Sequence, residues 1–118
     1  MATKGTPGAY RQLKQQHGAY MSAVEALGAA VRDAGPLDDK VMQLVQLGAA
    51  AAIRSEGAVH SHVRRSLALG TSALEIRHAL IARTSTIGFP TVSAALSWAD
   101  DVIKGPGVRR KSTAKLKP

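Results

Sequence analysis

Residues 38–70 read DDKVMQLVQLGAAAAIRSEGAVHSHVRRSLALG, and this stretch decides the fold. Its first half is apolar on nearly every side of a helix: Val41, Met42, Leu44, Val45 and Leu47, then Ala49 to Ile53. A helix that is apolar all round is a central one, so the segment from about Asp38, a plausible cap, to Arg54 is expected in the middle of the molecule. Gly48 and the four alanines after it let a neighbour approach closely. The second half, from Ser55–Gly57 to Leu69-Gly70, reads as a further helix, and Gly70 suits a left-handed C-terminal turn. No convincing strand can be read here or elsewhere in the chain.

Working outward, a first helix is expected from about Ala9 to Asp33, with Leu13, Tyr20, Val24, Leu27 and Val31 at three- and four-residue spacings. Gly35-Pro36 ends it. On the other side, Ser72 and Glu75 have capping-box spacing ahead of Ile76, Ala79, Leu80 and Ile81. Thr84 to Gly88 forms a break, and Pro90 suits the first turn of a last helix through Ile103, burying Val92 and Leu96. Gly105-Pro106-Gly107 then detaches the end of the chain. The reading is all-α, about five helices in a single domain over residues 1–104, followed by a basic flexible tail over 105–118.

Composition bounds the function. Hydrophobic residues make up 45% of the 118, but aromatics only 3%. A core packed by alanine, leucine and valine buries little apolar area per residue, at roughly 25 cal/mol per Å². A homo-oligomer is expected on those grounds. The chain has no cysteine, which excludes disulfides, thiolate nucleophiles and cysteine metal sites together. The net charge of +8 sits largely at the end, where Lys104, Arg109, Arg110, Lys111, Lys115 and Lys117 meet no acid. The remaining ten basic residues face eight acidic ones. A solvated, solubilising end is the simpler reading of that tail. Nucleic acid is therefore not expected as a partner. Apolar runs fall short of the ~20 residues that span a bilayer, and the N-terminus lacks a secretory pattern. No membrane association is expected, and cytoplasm is the expected compartment.

Polar function concentrates around Glu56, His60, His62, Arg64 and Arg65. At 100° per residue, Ser55, Val59, His62 and Ser66 share one stripe with Val63, while Glu56, His60 and Arg64 form an i, i+4 row on another. His60 and His62 point in nearly opposite directions, which rules out one metal shared between them. The row has a bland reading as a solvated charge ladder, and a functional one in which Glu56 orients His60 for acid–base work. His62 is the sharper candidate, because it lies among apolar and small residues and an imidazole there can shuttle a proton near neutrality. Its bland reading is a hydrogen-bonded core histidine. Gln43 and Gln46 interrupt the apolar helix, and such amides need partners, which places them toward a wet crevice or the following helix. His17 has no local constellation, and His78 is expected on the surface. No phosphate loop, cofactor motif or metal-ligand spacing is present.

From Leu37 to about Val102 the chain resembles the carboxymuconolactone decarboxylase superfamily, which includes the alkyl hydroperoxidase D-like proteins. The matching pieces are Lys40 to Leu47 with the alanine run, His62-Val-Arg-Arg-Ser-Leu-Ala-Leu-Gly70, and Thr71-Ser-Ala-Leu-Glu75-Ile. Gly88-Phe89-Pro90 leading into Ala94-Ala95-Leu96 completes the set. The resemblance implies an all-α fold assembling as a trimer or hexamer. The family's peroxidase branch carries Cys-x-x-Cys, then three residues, then His, with a glutamate on the preceding helix. Those places correspond to Ser55, Ala58, His62 and Gln43, so thiol peroxidase activity is not expected. The decarboxylase branch places a glutamate four residues before the histidine, where this chain has Ala58; Glu56 lies two residues away.

The resulting expectation is a pocket between the Asp38–Arg54 helix and the next, lined by His62, that binds a small organic molecule, neutral or anionic. In an enzyme of lactone decarboxylation or related proton transfer, His62 is the general acid or base. Gln43 orients substrate, Glu56 or His60 assists, and Ser55, Val59 and Gln46 contact the ligand. No cofactor and no metal are expected. The alternative is a non-catalytic oligomeric binding or scaffold protein.

Overall fold

The computed structural model describes residues 7–105; the reading of the basic tail as flexible lies beyond them, apart from Gly105. Among the described residues there are seven helical segments and no strand: α1 Pro7–Gln16, α2 Gly18–Asp33, α3 Asp39–Ala52, α4 Glu56–Ala68, α5 Ala73–Ile81, the single turn α6 Thr84–Ile87, and α7 Phe89–Ile103. The all-α reading therefore stands. The expected first helix is two: the chain breaks at His17, with φ −138° and ψ 60°. Lys14 Nζ lies 3.2 Å from Glu25 Oε2, so α1 turns back along α2 instead of continuing it. Thr84–Ile87, expected as a break, is one helical turn.

Local chemistry sets the helix ends. Asp38 Oδ1 accepts from the Val41 amide at 2.9 Å and starts α3, and Ser55 Oγ accepts from the Ala58 amide at 3.3 Å and starts α4. Ser72 and Glu75 form the reciprocal capping box at the head of α5. Gly70 (φ 89°) closes α4 as expected, with the Thr71 amide bonded to Ser66 O and the Gly70 amide to Leu67 O. The same pair of bonds ends α3, from Ser55 to Ala50 O and from Arg54 to Ala51 O. There the left-handed position is held by Arg54 (φ 56°), whose guanidinium Nη1 donates to Thr91 Oγ1 at 3.0 Å. A non-glycine residue in this region costs roughly 1–2 kcal/mol.

The core is made by α3, α4, α5 and α7. Leu47, Ala51, Val59, Val63, Ile76, Leu80, Ala95 and Ala99 are fully enclosed. Four alanines, including Ala50, belong to this cluster, which lets the helices approach closely. α4 packs against both α3 and α7. This double contact positions the site. Gly48 is buried against Arg83, whose Cδ would stand 3.2 Å from an added Cβ.

The expectation that α3 is enclosed on all sides holds for one half only. Leu47, Gly48, Ala50 and Ala51 are buried, whereas Val41, Val45 and Ile53 are exposed. On α2, Tyr20, Val24, Leu27 and Val31 are exposed as well, and only Met21 is buried. A single protomer leaves both apolar stripes in water.

Candidate functional site

Because α4 lies between α3 and α7, its two histidines are drawn into different environments. His62 faces α3: its Nδ1 lies 2.8 Å from Gln43 Oε1. Gln43 is buried, at 5% exposure, so its amide needs a partner and finds one in the imidazole. An amide oxygen can only accept, so the proton sits on Nδ1 and Nε2 is left as the basic nitrogen. Burial, helped by the nearby Arg65 guanidinium, holds the His62 pKa below the usual histidine value of 6.5. His62 is therefore neutral near pH 7 and in the form of a base.

Gln43 also borders an open cleft of about 510 Å³. Its apolar walls include Tyr10 and Val24 from the α1–α2 hairpin and Ala68 and Leu69 from the end of α4. Arg32 and Arg65 bring positive charge to it, and Glu25 and Asp39 bring negative charge. This cleft opens between those helices and the hairpin, and its lining includes Gln43 but not His62. Gln43 is the residue that belongs to both, touching the cleft and the imidazole.

His60 corrects the sequence reading more sharply. The solvated ladder placed it in water; it is 4% exposed. The opposite directions of His60 and His62 are as expected from 100° per residue, but the far side of α4 is covered by α7. There His60 Nε2 lies 3.0 Å from Asp101 Oδ2 and 4.0 Å from Glu56 Oε2. Donor atoms of Glu56, His60 and Asp101 all fall within 4.8 Å of one another. Ligand spacing along the sequence does not reveal this grouping, because Asp101 is 41 residues from His60 and the α4–α7 packing unites them. The adjacent Asp100 turns elsewhere, to Arg77 Nε at 3.1 Å and to Lys104 at 3.5 Å.

The other expected contacts are placed as follows. Ser55 caps α4, so its hydroxyl has a structural task. Val59 is fully buried in the core and cannot touch a ligand, which corrects its assignment. Gln46 is half-buried and outside the cleft lining. His78 is exposed, as expected. Arg65, expected only as part of the polar cluster of α4, lines the cleft, and Arg32 and Asp39 join it beyond the expected residues. Charge beside the Gln43 and His62 segments is the sequence signal for Asp39 and Arg65, and Arg32 has none.

The family model described as the carboxymuconolactone decarboxylase family matches residues 18–101. That match begins at α2, earlier than the resemblance from Leu37, so it takes in half of the N-terminal hairpin. No curated protein and no solved structure matches the chain.

Proposed function

The chain belongs to the carboxymuconolactone decarboxylase family, and from that membership we propose that it binds a small organic acid or lactone beside the Gln43–His62 pair. His62 is the proton-transferring group. The observation that carries this reading is the 2.8 Å contact between His62 Nδ1 and Gln43 Oε1, which fixes the imidazole tautomer directly behind a residue that lines the cleft. Its lowered pKa keeps the base unprotonated at neutral pH, the state that removes a proton from carbon next to a carbonyl. Gln43 can hydrogen-bond a ligand carbonyl from the cleft side, and Arg65 or Arg32 can hold a carboxylate. Thiol peroxidase chemistry is not part of this reading, since the chain has no cysteine to oxidise.

A homo-oligomer completes it. The exposed faces of α2 and α3 support self-association into a trimer or hexamer, and a neighbouring protomer can then form the outer wall of the cleft.

One observation favours the second reading, a non-catalytic binding or scaffold protein: His62 does not itself line the cleft. The readings separate by NMR of the His62 imidazole during titration with a panel of small lactones and carboxylates. Burial is the larger cause of the lowered His62 pKa and the Arg65 charge the smaller. A carboxylate seated at Arg65 offsets that charge, so the His62 pKa is expected to rise on binding. Ligand binding with no change at His62 supports the scaffold reading.

A further inference from the structure

The geometry points to a second site, independent of the Gln43–His62 pair, in which Glu56, His60 and Asp101 bind one divalent transition-metal ion between α4 and α7. The three residues supply one imidazole nitrogen and two carboxylates, with donor atoms all within 4.8 Å of one another. Bonds of about 2.0–2.2 Å to a single zinc ion put tetrahedral donors roughly 3.3 Å apart. Nε2 of His60 already lies 3.0 Å from Asp101 Oδ2 and 4.0 Å from Glu56 Oε2, so small rotamer changes close the site.

Its setting differs from that of surface acids. The His60 side chain is 5% exposed, while those of Asp101 and Glu56 are 23% and 29% exposed. The nitrogen donor is thus anchored in the interface between two packed helices and the carboxylates lead out to solvent. Glu56 and His60 are one turn apart on α4, and α7 brings Asp101 across to them. Two carboxylates and a neutral imidazole balance a double positive charge and leave a fourth coordination position open. The nitrogen donor favours zinc, cobalt(II) or a similar ion over magnesium or calcium. Arg77 and Lys104 engage the neighbouring Asp100.

The competing arrangement is the His60 ring hydrogen-bonded between two carboxylates, which needs no ion. The test titrates cobalt(II) chloride, then zinc chloride, into the metal-free full-length protein. Visible absorption and calorimetry are followed for the unsubstituted protein, Asp101→Asn, His60→Gln and His62→Gln, with helicity checked by circular dichroism. Saturable binding of one ion per chain is expected, with a cobalt spectrum that zinc displaces. Asp101→Asn and His60→Gln are expected to weaken binding roughly tenfold or more, and His62→Gln to leave it unchanged. No cobalt spectrum in the unsubstituted protein, or equal binding by Asp101→Asn, overturns the proposal and leaves the ion-free hydrogen-bonded clamp. Loss of binding in His62→Gln alone also overturns it, by placing the ion elsewhere.

Discussion

His62 Nδ1 and Gln43 Oε1 stand 2.8 Å apart, and the partner is a neutral amide where a glutamate would make an ion pair. A carboxylate stabilises imidazolium; an amide does not. Gln43→Glu is therefore expected to raise the His62 pKa by one unit or more, on the order expected for an opposite charge in contact. Imidazole chemical shifts followed from pH 5 to 9 check this. An unchanged His62 titration in Gln43→Glu contradicts the contact.

The same depressed pKa makes stability depend on pH with a definite sign. The folded His62 binds a proton less readily than the unfolded one, whose value is near 6.5. Above that pH both states are neutral at this position, and the full stability is present. As pH falls below 6.5 the unfolded chain takes up the proton first, so His62 lowers stability progressively until the folded value is passed. His62→Gln removes this contribution while His17, His60 and His78 remain. Denaturant unfolding at intervals from pH 7.5 to 5 is expected to show a shallower acid-side loss in the variant. Equal slopes would show that His62 does not couple folding to protonation.

Assembly is expected through the apolar stripes that a protomer leaves exposed. Leu27 is 64% exposed and Val45 is 55% exposed, and charges placed there cost a buried interface several kcal/mol but a free surface little, within about 0.5 kcal/mol. Light scattering is expected to give a mass of at least three protomers for the unsubstituted protein. Leu27→Asp and Val45→Asp are expected to lower it with helicity intact. A monomer at micromolar concentration contradicts the self-association proposed from these faces.

Much of this architecture was legible in the sequence. The Asp38 and Ser72 caps, the Gly70 terminator and the Pro90 start all act over three or four residues, and each performs its expected local task. The break at His17 is not legible, because Gly18 follows it within an otherwise continuous helical pattern. Opposed directions for His60 and His62 follow from helix geometry alone. Which of them would meet water does not, since the covering residue is Asp101 on α7. An apolar helix also announces burial without naming what buries it, so Val45 reads the same whether its neighbour is the same chain or another copy. Val59 shares a stripe with His62, which reads as a ligand contact, but a stripe wide enough for both reaches from the core to the α3 contact.

The most direct test of the His62 reading compares kcat/KM of His62→Ala and His60→Ala on the best substrate from a panel of small lactones and carboxylic acids, with assembly checked in parallel. Loss of a general acid or base typically costs about 10²–10⁴-fold. That loss is expected for His62→Ala, with a much smaller one for His60→Ala, whose contacts are with Asp101 and Glu56 on the other side of α4. Activity abolished by His60→Ala and untouched by His62→Ala would contradict the assignment and move the chemistry to the α4–α7 side.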